Sequence, residues 1–171
     1  ISWGWLFRQS SPPKRLTESV INMADIDAYK DKFSETGRRI LESALDASRR
    51  RDQNYVAVEH VLHALSNEEE ELFTATMRDL AVDPRSVKLL IERRLDNGRQ
   101  HTGNGFRIAP ETTELFKRAM DRARSQGRRV IDGTDLFYVL SNDDRSVLID
   151  LLQNLGVPGE EVAQTARTRI R

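Results

Sequence analysis

Cysteine is missing from all 171 residues, which excludes disulfides, thiolate metal sites and a cysteine nucleophile. The absence fits a reducing compartment, and the expectation is a cytoplasmic protein. A surplus of either charge is missing too, with 27 Lys and Arg against 27 Asp and Glu. A nucleic-acid binder ordinarily carries a basic excess to neutralise phosphates. The basic runs Arg49-Arg50-Arg51 and Arg128-Arg129 stand among carboxylates, as at solvated helix ends, so no nucleic-acid partner is expected. No apolar run approaches the roughly 20 residues that span a bilayer, and no membrane partner is expected either. The opening "ISWGWLF" lacks the basic flank and cleavage pattern of a signal peptide. The chain begins at Ile1, so it is either cut from something longer or carries added residues. Met23-Ala24-Asp25 looks like a natural start, and residues 1–32 read as an N-terminal tail.

What is present is a soluble, helix-rich composition, 38% hydrophobic and 32% charged, and an internal repeat. Leu65-Ser66-Asn67 returns as Leu140-Ser141-Asn142, 75 positions later. Placed at that offset without a gap, residues 33–95 match 108–170 at Ala44/Ala119, Asp46/Asp121, Arg49/Arg124, Leu80/Leu155, Val82/Val157, Val87/Val162 and Arg94/Arg169. Apolar positions face apolar positions throughout, as in Ile40/Leu115, Leu62/Phe137 and Phe73/Leu148. An ungapped match of this kind signals duplication.

Each copy reads as four helices. Ile40, Leu41, Ala44, Leu45 and Ser48 mark one buried helix face; Val58, Val61, Leu62 and Leu65 a second, ended by Ser66-Asn67; Leu72, Phe73, Met77 and Leu80 a third. Asp83-Pro84 opens the fourth as N-cap and first helical residue, and Gly98 closes it. In the second copy Pro110-Glu111 opens the first helix and Gly127 closes it. Asp132 starts the second, its carboxylate expected to accept from first-turn N–H groups, and Gly156-Val157-Pro158 separates the last two. Residues 96–107, with three glycines, read as a linker. No period-two apolar stretch of useful length occurs, so no sheet is expected. The fold class is all-α, two pseudo-twofold-related four-helix repeats packed as one domain over residues 33–171.

Chemistry is hard to find. Gly98 and Gly103 open a P-loop spacing, but Asn104 and Gly105 stand where Lys and Ser or Thr are required, so nucleotide binding is rejected. His60 and His63 are three apart beside Glu59, whereas zinc proteases need i and i+4 spacing around Glu. Both read as structural, and His101 as exposed. No Gly-x-Ser-x-Gly elbow presents a nucleophile. The acidic groups Glu68 to Glu71 and Asp143-Asp144 read as dipole partners at the start of the third helix of each copy. No catalytic residue, metal or cofactor is assigned. Paired helical bundles instead offer a groove and matching surfaces for polypeptides.

"NYVAVEHVLHAL", preceded by "FSETGRRILESALDASRRRDQ", resembles the first repeat of the Clp ATPase N-terminal domain of the ClpA and ClpC type, with Tyr55-Val56, Glu59-His60 and Val61-Leu62 at the family's motif positions. "GRRVIDGTDLFYVLSNDDRSVLIDLLQNLGV" resembles the second repeat. The resemblance implies a protein-recognition domain tethered above an AAA+ unfoldase ring. Its partners would be adaptor proteins, unfolded or tagged substrates, the Clp ATPase ring and its protease. It also implies a binding role for Glu59, in adaptor contacts and in gripping phosphorylated arginine in ClpC-type domains, where carboxylate and guanidinium pair well. Asn54, Thr134 and Asp135 are the accompanying candidates, Thr134 standing where Glu59 stands in the first copy. Ala57 and Val58 occupy the place of the family's capping Thr, which implies a looser start to that helix. The alternative is a free-standing helical scaffold with a ligand groove between its repeats and no ATPase partner.

Overall fold

The computed structural model describes residues 20–21, 27, 29–98 and 105–170. The expected start at Met23 and the linker histidine His101 lie outside the described residues, as does most of the expected tail. Among the described residues run eight helices: α1 (Glu35–Arg50), α2 (Val58–Glu68), α3 (Glu70–Asp79), α4 (Pro84–Asp96), α5 (Pro110–Ser125), α6 (Gly133–Asn142), α7 (Val147–Asn154) and α8 (Gly159–Arg169). None is long and apolar enough to cross a membrane.

The caps follow the local sequence. Ser34 Oγ accepts from the Gly37 N–H at 3.1 Å to start α1, Asp83 caps α4 through the Arg85 N–H with Pro84 inside it, and Ser146 accepts from Ile149 N–H at 3.2 Å to start α7. Asp132 departs from expectation. Its carboxylate accepts from the hydroxyls of Ser34 (2.8 Å) and Thr134 (3.1 Å) rather than from first-turn amides, because Ser34 of the other repeat reaches it. The acidic residues also divide: Glu70 and Glu71 sit in the first turn of α3, whereas α7 begins only at Val147, leaving Asp143 and Asp144 in the turn before it.

The expectation of no sheet is corrected. Three very short strands, β1 (Val20–Ile21), β2 (Tyr55–Val56) and β3 (Phe106–Ile108), pair in the order β1-β3-β2. Val20–Ile21, inside the expected tail, runs antiparallel to β3, and β3 straddles the end of the expected linker and the start of the second repeat. Strands of two or three residues leave no readable periodicity. Their cause is long-range: Val56 pairs in parallel with Ile108, and Phe33 bridges in parallel to Ile131. Adding 75 to 33 and 56 converts one pairing into the other. The strand leading into the first helix of each repeat thus bonds the strand leading into the second helix of the other. Ser34 N–H donates to Ile131 O at 2.8 Å and Ala109 N–H to Val56 O at 3.0 Å, a reciprocal pair. Gly37 permits the approach, since a Cβ there would lie 2.5 Å from Ile131 O.

The core spans both repeats. Leu62, Phe73, Phe137 and Leu148 are each fully buried. The exchange of Leu and Phe between the repeats conserves core volume, the kind of swap a packed interior tolerates. Arg94 on α4 pairs with Asp150 on α7, and Arg169 on α8 pairs with Asp79 on α3 at 2.6 and 2.9 Å. The repeated arginine therefore ties each repeat's last helix to the third helix of the other.

The left-handed turns repeat as well. Asp52 (φ 54°) matches Gly127 (φ 76°), and Ala81 (φ 59°) matches Gly156 (φ 86°). Both 81 and 156 follow a helix whose end is tied by the next residue's N–H, Val82 to Met77 O and Val157 to Leu152 O. Alanine bears a Cβ penalty there that glycine escapes. Ala81→Gly should therefore raise the unfolding free energy by about 0.5–1 kcal/mol, and Gly156→Ala should lower it by a similar amount; urea denaturation of both variants measures the pair.

Candidate binding groove between the repeats

An open groove of about 1260 Å³ runs along one side of the contact between the halves. Its apolar lining comes from Val58 of α2, Ile108 of β3, Leu115 of α5, Val139 and Leu140 of α6 and Val147 of α7. Charged side chains accompany them. Arg118 is bound to Glu114 (3.2 Å) and faces Asp143 (3.6 Å), and Arg94 is held by Asp150. Glu59 and Glu111 also line the groove and make no hydrogen bond or ion pair among the described residues. Arg107 also lines the groove, and its buried Nε has no hydrogen-bond partner among the described residues.

Of the four residues singled out from the sequence, the fold brings two together. Glu59 is the second residue of α2, half-buried, where the helix dipole favours a carboxylate. Asn54 lines the groove beside it, 7% exposed, its amide donating to Gly105 O at 3.0 Å. Thr134 lies on the opposite half with its hydroxyl given to Asp132. Asp135 is fully buried. Its carboxylate accepts from both terminal nitrogens of Arg128 and from the Asp132 N–H at 2.8 Å, so it holds the start of α6 and offers no surface to a partner.

The same latch secures Glu59. Ala57 supplies no side-chain bond to the first turn, but His60 Nδ1 accepts the Ala57 N–H at 2.9 Å, and its Nε2 meets Gln53 Oε1 at 2.6 Å. Those partners assign the ring as neutral with its proton on Nε2. Burial, reinforced by Arg51 and His63, pushes its pKa down to about 4. The helix start is therefore latched from inside the helix where a capping threonine is absent. His63 faces Glu92 at 3.8 Å and is also pushed down, chiefly by burial. Among the described residues no three potential metal ligands converge.

Arg107, Glu111, Val139 and the 143–147 turn are groove residues that the sequence reading missed. They come from three separate segments, and no local motif announces them. The only available signal was the offset itself, which exchanges Arg39 for Glu114 and Ser43 for Arg118 on the first helix of each copy.

A family model described as the Clp repeat (R) N-terminal domain matches residues 32–155. Among curated proteins, the negative regulator of genetic competence ClpC/MecB of Bacillus subtilis is 23% identical over 126 residues, covering 74% of this chain and 15% of the relative. The chloroplastic chaperone protein ClpC1 of Arabidopsis thaliana is 20% identical over 131 residues, covering 77% of this chain and 14% of the relative. The chain thus spans about 15% of the length of the curated relatives it matches. Among solved structures, the Hsp104 N-terminal domain of Candida albicans superposes with a TM-score of 0.68 at 12% identity, covering 79% of this chain and 89% of that one. The N-terminal domain of ClpV1 from E. coli gives 0.62 at 21% identity, covering 86% and 91%. These structures share its fold. The match over residues 32–155, beside the duplicated four-helix unit and its reciprocal strand pairing, places the chain in the Clp repeat (R) N-terminal domain family.

Proposed function

We propose that this domain recognises polypeptides for a Clp-type AAA+ unfoldase, its groove taking a segment of an adaptor protein or of an unfolded or tagged substrate. The observation that carries the reading is a groove with an apolar lining and two carboxylates, Glu59 and Glu111, that stand unpaired among the described residues. Apolar anchors in such a groove supply affinity by burial, and an unpaired carboxylate at a helix start selects a guanidinium or ammonium of the partner. The relatives support the unfoldase context. Those matched over this region are named as ClpC chaperones and, in Brassica napus, as an ATP-dependent Clp protease ATP-binding subunit. The domain breaks no bond; energy for unfolding comes from the ring, and the complex works in the cytoplasm with the Clp protease.

The test is fluorescence anisotropy with a labelled ten-residue peptide of alternating leucine and arginine. Glu59→Lys is expected to weaken binding at least about tenfold, a change of roughly 1.4 kcal/mol. Equal affinity for the wild type and Glu59→Lys removes Glu59 from the site.

A further inference from the structure

Duplication creates two pseudo-equivalent places for a groove, one where α2 begins and one where α6 begins. In the open groove, Val58 and Val139 are half-buried lining residues. At the 75-residue offset their counterparts are Gly133 and Ala64, both buried, Ala64 with no exposed surface. The cover over Gly133 is visible. A Cβ at Gly133 would lie 2.6 Å from Glu69 Oε1, 2.8 Å from Glu69 Cγ and 2.8 Å from Ile40 Cδ1. The glutamate lies where a groove-lining side chain would stand. Its counterpart in the open half is Asp144, which is exposed. Val58 fills the space that Gly133 leaves empty, and aspartate is one methylene shorter, so the acidic side chain stays out. Burial and the neighbouring Asp132 raise the Glu69 pKa, against the pull of Arg39, as expected of a carboxyl drawn into the protein surface.

We propose that the domain is univalent: the groove at Glu59 takes one polypeptide segment, while the Glu69 side chain packed on Gly133 seals the equivalent groove on the other half. The proposal rests on the polypeptide-binding reading for the occupant of the open groove, but not for the seal. Thr134 in place of Glu59 removes the unpaired carboxylate at the sealed end as well. Avidity for a long substrate must therefore come from several copies of the domain, since one copy offers a single grip.

The chain has no cysteine, so single thiols report on each place separately. Val139→Cys should react with Ellman's reagent at least about tenfold faster than Ala64→Cys, and adding Glu69→Ala to Ala64→Cys should raise its rate at least about fivefold. Equal rates for the two thiols, or no response to Glu69→Ala, overturn the seal. Should Ala64→Cys perturb folding, amide chemical shifts of the otherwise native protein carry the same test. Titration with the leucine–arginine peptide should saturate at one equivalent and move Val58 and Val139 but not Gly133 and Ala64; Glu69→Ala should bring a second equivalent and shifts at Gly133. Two equivalents on the wild type overturn univalence. No shift anywhere, with the thiol rates as expected, overturns the polypeptide reading and leaves the seal standing.

Discussion

Arg128→Met should lower the unfolding free energy by about 4 kcal/mol, the largest effect expected of any single change away from the apolar core, and drop the melting midpoint by roughly 10 °C. Asp135 is fully buried, and Arg128 is its one cationic partner among the described residues, bound through two nitrogens. Removing the cation leaves a buried carboxylate held by the Asp132 N–H alone. Asp135→Ala should cost less, about 3 kcal/mol, because the guanidinium left behind is more than a third exposed and regains water. The other repeat shows how the position is satisfied without charge. At the 75-residue offset Arg128 becomes Gln53 and Asp135 becomes His60, and these two are also hydrogen-bonded. Either residue, His60 or Asp135, accepts the N–H three positions before it. The double variant Arg128→Gln/Asp135→His should therefore recover at least about half of the loss. Denaturant titrations of the two singles and the double give the coupling. A cost below about 1 kcal/mol for Arg128→Met would mean that the carboxylate finds other partners.

Acidification should unlatch the first repeat before the second. His60 is neutral in the folded chain with a pKa near 4, and takes a proton near 6.5 when unfolded. The unfolded state therefore binds the extra proton between those values, and stability rises with pH across that window. Its contribution is fully present above pH 6.5 and is lost as the pH falls to about 4, on the order of 3 kcal/mol in total. His63 adds a slope of the same sign. Glu69, with its pKa raised, acts in the opposite sense where carboxylates titrate. The interval from pH 6.5 to 5 isolates the histidines. His60→Asn should cost about 1–2 kcal/mol at pH 7 and flatten the slope in that interval, as read by urea unfolding at a series of pH values. An unchanged slope would assign the proton uptake elsewhere.

The duplicated architecture was legible because the apolar pattern survives at a constant offset. Helix starts at Asp83 and Pro110 were legible for local reasons, since a cap is decided by the few residues around it. The strands were not. Val56 and Ile108 stand 52 positions apart, and only the swap of partners between repeats makes them neighbours. The place of Glu59 at a helix start was legible through the family motif, whereas the burial of Asp135 was not, because a carboxylate beside a helix start looks alike from sequence whether it faces solvent or a buried arginine. Burial is a property of what packs over a residue, and here that is Arg128, seven positions earlier.

Composition and periodicity alone settle a thiol-free, charge-balanced chain of two helical copies. Which copy presents an open groove is another matter. That depends on whether an acidic side chain from one helix junction finds glycine or valine beneath it, Glu69 over Gly133 or Asp144 beside Val58. The partners are 64 and 86 positions apart, so the fit is set by the docking of one repeat on the other and by nothing in either segment.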